Sequence, residues 1–256
     1  MSTATTPITM PDLSPFEVPG PVTRVPSLDE LRRLTEIPDR RVVYRNVDWA
    51  FYEELVDSIP ASSHIHVDYD GKDLEVMAIG PDHDDVTYYL GLFVSLVAAV
   101  MEIPHRGLGS TTWKRPEIAR GLEADQCYYF QSEKLAEVAR LRRSPDVAHY
   151  PNPDLAIEVD LSRPEVDRAS IYAALKVTEV WRFERERIII ERLTPAGTYA
   201  EVESSGFLPV RAEEIWHWIA EEDFTDESAW IRRLQAEMKK KARRLARAAR
   251  RRGEAK

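Results

Sequence analysis

Alternating apolar and polar residues predict a β-strand near the middle of the chain. Over residues 155–161 every second residue is apolar, and the positions between them include Glu158 and Asp160, with Asp154 just before the run. A period of two is typical of a strand whose two faces differ. The pattern therefore predicts one apolar face and one face that carries three carboxylates.

A helix is predicted directly after this strand. Ser162 is followed by Pro164 and, three residues on, by Glu165. This is the spacing of a capping box with proline in the first turn. The helix is expected to reach residue 175 and to carry Arg168 in its second turn, partly exposed, so that removing its side chain would barely change stability.

Other periodic segments predict alternating helices and strands around this centre. A turn signal at Asp70-Gly71 divides two alternating runs, which is typical of a β-hairpin. The predicted elements are a short helix from 27, a helix over 47–56, a hairpin over 64–77, a helix over 82–101, a strand over 122–130, a charged helix or loop over 132–143, strands over 179–183 and 187–193, and a long helix from 230.

Composition limits the class of protein. Hydrophobic residues make up 43% of the 256 residues, enough for a globular core. Cys127 is the one cysteine, which excludes an intramolecular disulfide and a cysteine metal cage. The longest apolar run, 88–101, is too short to span a bilayer, and the N-terminus lacks a signal-peptide pattern. The sequence therefore predicts a soluble, cytoplasmic protein with no membrane partner.

The two ends of the chain differ from its body. Residues 1–25 are rich in Thr and Pro and predict a disordered leader. Residues 26–222 are predicted to form the folded domain, and 223–256 a basic C-terminal helix. Residues 232–256 carry twelve Lys and Arg against two Glu, although the whole chain has a net charge of -9. Removal of 232–256 is expected to leave the core folded.

The basic helix has several interpretations. An apolar seam of Leu234, Met238, Ala242, Leu245 and Ala249 runs among its charges. The helix could be solvated, pack on the body, or join a second copy as a homodimer; it could equally bind a phosphate backbone, since basic residues neutralise phosphates. The candidate nucleic-acid-binding residues are Arg232, Arg233, Lys239, Lys240, Lys241, Arg243 and Arg244.

The acidic strand face has the chemistry of a metal site. Carboxylate oxygens suit a hard cation such as Mg²⁺. Strand rise places Glu158 and Asp160 about 7 Å apart, so they could share one ion, whereas Asp154 lies about 13 Å from Glu158 and could not join it. The alternative, that these acids lie on a solvent-facing strand side, stays open at this point.

Three histidines are weaker candidates. His64 and His66 lie two apart on a predicted strand, where both could bind a metal, but no third ligand is nearby. His83 lies among Asp82 and Asp84 at the start of the predicted helix, where acids complement the helix dipole. Exposed strand histidines and a dipole role for the acids are the simpler interpretations.

Six segments in one order resemble the Uma family, a bacterial group described as "putative restriction endonucleases" within the PD-(D/E)xK nuclease superfamily. The similarity covers roughly residues 45–220. The segments are DGKDLEVM at 70–77, PDH at 81–83, LGSTTW at 108–113, GLEADQCYY at 121–129, PDLAIEVD at 153–160 and IYAALKVTEVW at 171–181.

The resemblance implies an α/β fold with a restriction-endonuclease-like core: a mixed central β-sheet flanked by helices, followed here by the basic C-terminal helix. It also implies an Mg²⁺ site, with Mn²⁺ as a substitute, on the central strands. Asp125 and Glu158 match the two acidic motifs, and Glu75 matches an upstream acidic position. These three are the expected metal ligands; Asp160, Asp154 and His83 are supporting candidates.

The resemblance fails at one catalytic position. The superfamily has Lys two residues after the second acid, where this chain has Asp160; the family's Lys on the following helix corresponds to Arg168. Arg stays protonated, so it could stabilise phosphate charge but not act as a base. The resemblance implies an Mg²⁺-dependent DNA endonuclease with Asp125, Glu158 and Arg168 as catalytic residues. The alternative is a catalytically weakened relative that binds nucleic acid or a protein partner without cutting.

Overall fold

The computed structural model describes residues 12–60, 62–141, 149–185, 187–220 and 225–252. Within these residues ten strands form one sheet. The strands are β1 (Phe16–Glu17), β2 (Arg41–Tyr44), β3 (Ile65–Tyr69), β4 (Leu74–Ala78), β5 (Arg106–Arg115), β6 (Arg120–Tyr129), β7 (Leu155–Asp160), β8 (Glu179–Glu184), β9 (Ile188–Leu193) and β10 (Tyr199–Val202).

Seven helices among the described residues flank this sheet. They are α1 (Leu28–Leu34), α2 (Trp49–Ser58), α3 (Pro81–Val100), α4 (Ser132–Leu141), α5 (Arg168–Ala174), α6 (Ala212–Ile219) and α7 (Glu227–Arg251). The strand order is β1-β2-β4-β3-β6-β7-β8-β9-β10, with β5 paired to β6 off this path. Since β1–β2 and β7–β8 are parallel and the other pairs antiparallel, the sheet is mixed. The predicted fold class is confirmed.

The sheet branches at β6. Strand β5 pairs along nearly the whole of β6, whereas β3 pairs with it only at Gly121, and β7 pairs only over 126–128. Between Ala124 and Cys127, the register of β6 against β5 shifts, which makes a β-bulge. Bulges bend a strand and redirect side chains, often beside active sites.

The two faces of β7 pack against different helices. Leu155, Ile157 and Val159 belong to a core formed with α3, α6 and the first half of α7. Ala156, on the other face, packs in a second core with α5 and β6. A third core, around Tyr52 of α2, joins α1 and α2 to strands β2, β3 and β4. Because both faces are covered, the alternative of a solvent-facing acidic side is wrong: Glu158 and Asp160 are 2% and 6% exposed.

Helix α5 begins later than the sequence predicted. Its first residue is Arg168, and the side chain of Asp167 caps it by accepting from the backbone N–H of Ser170. The predicted cap at Ser162 is wrong, because the hydroxyl of Ser162 is buried and bonded to the backbone oxygen of Asp39. Arg168 is therefore the first residue of the helix and not part of its second turn.

Described residues before the predicted boundary at residue 26 also form part of the fold. Phe16 and Glu17 pair in parallel with β2, and Val22 and Val25 pack against the α2 core. This part of the predicted disordered leader was assigned incorrectly, because its few apolar residues find a strand edge and a core to cover. Residues 1–11 of that leader lie outside the described residues.

The remaining elements follow the hydrophobic pattern, with three additions. The hairpin, the helix over 82–101, the strand over 122–130 and the strands over 179–193 are confirmed by β3, β4, α3, β6, β8 and β9, and the segment 132–143 is helical as far as Leu141. Strands β2, β5 and β10 were not predicted. In the described part of the chain no helix has both the length and the apolar character needed to cross a membrane.

Candidate active site

Asp125 and Glu158 lie where the pairing of β6 with β7 ends. The last pair is Gln126 with Ile157, so Asp125 and Glu158 are the next residues on the two antiparallel strands. Since strand pairing stops here, the backbone N–H of Val159 bonds to a side chain: it donates to Asp125 Oδ2 at 2.7 Å. The two carboxylates expected to share one cation thus lie on adjacent strands.

Both oxygens of Glu158 accept hydrogen bonds from α5. Arg168 Nη1 donates to Glu158 Oε2, and the hydroxyl of Tyr172 donates to Oε1. All three side chains are buried. Helix α5 therefore holds this carboxylate from one side.

Asp160 joins two guanidinium groups. Its Oδ1 accepts from Arg168 Nη2 and from Arg41 Nη2, the latter at 2.8 Å, while its buried Oδ2 has no hydrogen-bond partner within the described residues. Arg41, on β2, also contacts Ser162 Oγ at 3.1 Å and donates to Glu75 Oε1. The two arginines thus lie among the acidic side chains.

Glu75 and Asp68 approach the same place from the hairpin. Glu75 Oε2 accepts from the backbone N–H of Glu165 at 2.7 Å, so both Glu75 oxygens are engaged. Asp68 Oδ1 accepts from the backbone N–H of Glu123 at 3.3 Å, and Asp68 Oδ2 lies 4.0 Å from Arg168 Nε. Asp68 is buried, and it was not among the residues predicted from the sequence.

Two histidines flank Asp125. His66 Nδ1 lies 3.3 Å from Asp125 Oδ1, and His83 Nε2 lies 3.3 Å from Asp125 Oδ2. His66 Nε2 is also 3.4 Å from Glu123 Oε1. His83, a predicted supporting residue, and His66 are therefore both next to the first candidate ligand.

These side chains enclose a small cavity of about 10 Å³, about the space of one water molecule. We use the term acidic cluster for five buried carboxylates: Asp68, Glu75, Asp125, Glu158 and Asp160. Four of them line the cavity together with Arg168. The predicted residues Asp125, Glu158, Glu75 and Arg168 are thus brought together.

Burial and charge change the pKa values of the cluster. Burial raises the pKa of Glu158, and the nearby carboxylate of Asp125 adds to this while Arg168 opposes it. Burial likewise raises the pKa of Asp68 to about 6. Burial alone would raise the pKa of Asp125 too, but His83 and His66 hold it well below its ordinary value. Asp125 is thus an anion at neutral pH.

A family model described as Uma2, "Putative restriction endonuclease", matches residues 49–219. The chain belongs to the Uma2 family. This confirms the resemblance drawn from the six segments. The chain is also similar to the crystal structure of "a putative nuclease belonging to DUF820" from Anabaena variabilis ATCC 29413, with 13% identity and a TM-score of 0.46, covering 68% of this chain and 99% of that one. No curated protein matches the chain.

The acidic cluster of this Uma2 protein has oxygen donors that suit a divalent cation. Its side chains, however, are not arranged in the geometry of a metal-coordination site. Among the described residues, no three His, Cys, Asp or Glu side chains are grouped so as to hold a metal ion. Arg168 and Arg41 instead bond to Glu158, Asp160 and Glu75. Five buried carboxylates still outnumber two guanidinium groups, and one oxygen of Asp160 is buried without a hydrogen bond in the described part of the chain. Oxygen donors with excess negative charge are the chemistry that binds Mg²⁺.

Asp154 is separate from the cluster. It accepts from the backbone N–H groups of Phe130 and Gln131 at 2.7 and 2.8 Å, and Lys134 Nζ lies 2.7 Å away. Asp154 thus fixes the turn into α4. His64, 70% exposed, lies 4.0 Å from Asp84, which agrees with the simpler interpretation of an exposed histidine.

The predicted nucleic-acid-binding residues lie along α7. The first half of the helix is part of the core, since Trp230, Leu234 and Met238 are buried. In this half Lys241 pairs with Glu214 of α6 at 2.5 Å, and Lys240 with Glu237 at 3.0 Å. Beyond Lys241 the helix is mostly exposed, and Leu245 is 44% exposed. The packing interpretation thus holds for the first half; the homodimer stays a prediction.

The cluster residues that were not predicted differ in how visible they are in the sequence. Tyr172 lies four residues after Arg168, the spacing of one helix face, and Asp68 lies two after His66, the spacing of one strand face. Both could have been found from this periodicity. Arg41 had no such signal, because its partner Asp160 is 119 residues away in the chain.

Proposed function

We propose that this Uma2 protein is an Mg²⁺-dependent endonuclease that hydrolyses phosphodiester bonds in DNA, with Mn²⁺ able to replace Mg²⁺. The observation that supports this most is the position of Asp125 and Glu158. They follow the last β6–β7 pair, line one cavity and are buried with a cationic side chain beside them. Family membership and the oxygen-rich donor set agree with this activity.

Asp125 and Glu158 would hold the cation, and Asp68 and Glu75 line the same cavity. Asp68, which is buried there, is therefore a third candidate ligand beside Glu75. A bound Mg²⁺ would offset phosphate charge and lower the pKa of an attacking water. The carboxylate of Asp125 is ready for this role, since the two histidines keep it ionised.

Arg168 would act as a fixed positive charge. Its guanidinium cannot accept a proton from water at neutral pH, so it does not replace a basic Lys. It orients Glu158 and Asp160, and a guanidinium at this position can stabilise charge that develops on a phosphate. The exposed part of α7, with Arg243 and Arg244, would bind the nucleic-acid backbone.

A plasmid-nicking assay tests this function. Supercoiled plasmid with Mg²⁺ or Mn²⁺ should be converted to open-circular DNA by the wild type. Glu158→Gln should lower the rate by more than the roughly 10–100-fold that loss of a side chain orienting a metal ligand costs, because a metal ligand itself is removed. Glu179→Gln is the matched control, because Glu179 is also buried on the neighbouring strand but bonds Trp181 and Gly206 outside the cluster. No nicking by the wild type with either metal contradicts the proposal.

One observation favours a second function, nucleic-acid binding without cleavage. Arg168 bonds to Glu158 and to Asp160 at once and so occupies the side of the cluster where a cation would approach. Under this alternative, labelled DNA has raised fluorescence anisotropy with the wild type while the plasmid stays supercoiled. The same binding with Glu158→Gln would support it.

A further inference from the structure

Helix α5 presents two side chains to one carboxylate. Arg168 and Tyr172 are four residues apart, so they lie on the same face of the helix. Arg168 Nη1 reaches Glu158 Oε2 and the Tyr172 hydroxyl reaches Glu158 Oε1. Each oxygen of Glu158 thus has its own donor, and both donors come from one turn of helix.

The Tyr172 hydroxyl has a specific environment. The side chain is buried and borders a cavity of about 230 Å³ whose wall also includes Glu158, Arg168 and Tyr199. The hydroxyl donates to Glu158 Oε1. A phenol with its ordinary pKa of about 10 keeps its proton at neutral pH, so this donor is present there.

We propose that Tyr172 is a positioning residue of the nuclease site, which fixes the carboxylate of Glu158 in the orientation that binds the divalent cation. This inference rests on the proposed function. Two donors on two oxygens determine the plane of a carboxylate, whereas one donor leaves rotation about the last side-chain bond. Arg168 alone would then pull Glu158 towards Asp160, which the same guanidinium contacts.

Removal of the hydroxyl should weaken cation binding. In Tyr172→Phe the ring remains, so packing is conserved, but Glu158 Oε1 loses its donor inside a buried site. Loss of a side chain that orients a metal ligand costs about 10–100-fold in metal affinity or activity. We expect a change in this range for Mn²⁺ binding and for cleavage.

Tyr199→Phe provides a matched control. Tyr199 borders the same cavity, and its hydroxyl donates to the backbone oxygen of Val177 instead of to the cluster. Both substitutions remove one tyrosine hydroxyl and its hydrogen bond. A change confined to Tyr172→Phe is therefore a consequence of the contact with Glu158 and not of the missing hydroxyl as such.

The experiment titrates the full-length protein with Mn²⁺ alone and follows the free ion by electron paramagnetic resonance, with plasmid nicking alongside. We expect Tyr172→Phe to raise the Mn²⁺ Kd about tenfold or more, and Tyr199→Phe to stay within about twofold. A second variant carries p-aminophenylalanine at position 172, whose amino group restores a hydrogen-bond donor on the ring. This variant should recover most of the Mn²⁺ affinity, and it keeps the test valid if Tyr172→Phe folds poorly.

Equal Mn²⁺ affinity in the Tyr172 and Tyr199 variants overturns the inference while leaving the nuclease proposal intact. The inference is also overturned if the variant with p-aminophenylalanine at position 172 binds Mn²⁺ no more tightly than a folded Tyr172→Phe protein. A wild type that neither binds Mn²⁺ nor nicks DNA contradicts the proposed function, and the role of Tyr172 fails with it.

Discussion

Arg168 is part of the buried charge network of the protein. Its guanidinium is 8% exposed and bonds to Glu158 and Asp160, and Arg41 shares Asp160 with it. The sequence predicted a partly exposed side chain whose removal would hardly affect folding. The structure contradicts that expectation, because its removal leaves two buried carboxylates with one cation fewer.

Arg168→Ala should lower the free energy of unfolding by about 3–5 kcal/mol at neutral pH, the usual cost of breaking a buried ion pair on one side. Arg168→Lys should cost less, since one charge remains, but a single ammonium group cannot bridge both carboxylates as a guanidinium does. Urea unfolding measures the free energy of unfolding of both variants.

Arg182→Ala is the control. Arg182 is more exposed and pairs with Glu184 and Glu191, so its loss should cost about 1 kcal/mol or less. Equal losses at the two positions would contradict the buried-network assignment.

Asp68 should make stability depend on pH. Its pKa is raised to about 6 by burial, so the folded protein holds this proton more tightly than the unfolded chain, where an Asp titrates near 4. The stabilisation of the folded state by this proton is therefore complete below about pH 4 and is lost as the pH rises to about 6. The unfolding free energy of the wild type relative to Asp68→Asn should fall by about 3 kcal/mol at most across this range.

Urea unfolding of both proteins between about pH 4 and pH 7.5 tests this dependence. Because the two differ only at position 68, other titrating groups largely cancel. A constant difference over the whole range would mean that Asp68 is charged throughout.

The residues that could be predicted from the sequence are those with a local signal. Asp125 and Glu158 were found because each lies in a strand with a recognisable flanking pattern. Arg41 was missed because its contacts with Asp160 and Ser162 join residues about 120 positions apart. No periodicity reports such contacts. Glu75 was assigned as a metal ligand from the family resemblance, and that assignment stays a prediction.

Helix α5 illustrates the same limit for whole elements. Ser162, Pro164 and Glu165 match the capping-box pattern, yet the helix begins six residues later at Arg168. The tertiary structure uses the capping groups elsewhere: Ser162 Oγ contacts Arg41, and the Glu165 backbone N–H donates to Glu75. Local preference is weaker than a buried ion network. The central strand β7, by contrast, matched its pattern because Leu155, Ile157 and Val159 all pack into one core while Glu158 faces α5.

The cap of α5 should matter for the site as well as for stability. Asp167 accepts from the Ser170 backbone N–H at 3.0 Å, and Asp48 caps α2 in the same way through Phe51 at 2.9 Å. Each change to Ala should cost about 1 kcal/mol in thermal or urea unfolding. We expect Asp167→Ala alone to lower plasmid nicking, because Arg168 is the next residue. Equal nicking rates for the two variants would show that the cap does not position Arg168.

At the scale of the whole molecule, α7 and the side chain of Glu158 lie on different faces of the sheet. Helix α7 packs with α3 against the face that carries Leu155, Ile157 and Val159. Glu158 projects from the other face towards Tyr172 of α5. The structure argues against the expectation that removal of residues 232–256 leaves the core folded, because Leu234 and Met238 belong to the core.

Truncation after Lys241 separates the two halves of the helix. The shortened protein should keep its fold, because residues 242–252, the removed residues that the structure describes, are mostly exposed. If the basic segment binds DNA, the slope of log affinity against log salt should fall by about 0.9 for each phosphate that the shortened protein no longer neutralises, with little change in kcat. Truncation before Glu227, which removes Trp230 as well, should instead yield unfolded or aggregated protein. If the protein truncated after Lys241 keeps the salt slope of the full-length protein, the exposed half of α7 would instead be assigned to self-association.

The branch of the sheet at β6 has a consequence for amide hydrogen exchange. Beside this branch, two strand N–H groups donate to carboxylates of the cluster, Val159 to Asp125 and Glu123 to Asp68. A third N–H group, that of Glu165 in the segment before α5, donates to Glu75. On the two strands, a carboxylate accepts the hydrogen bond that a neighbouring strand would otherwise accept. Protonating or coordinating a carboxylate weakens it as an acceptor, so the exchange lifetimes of these three amides should follow the charge of the cluster. The amide whose exchange rate changes at the lowest cation concentration would therefore identify the carboxylate that binds the added cation first.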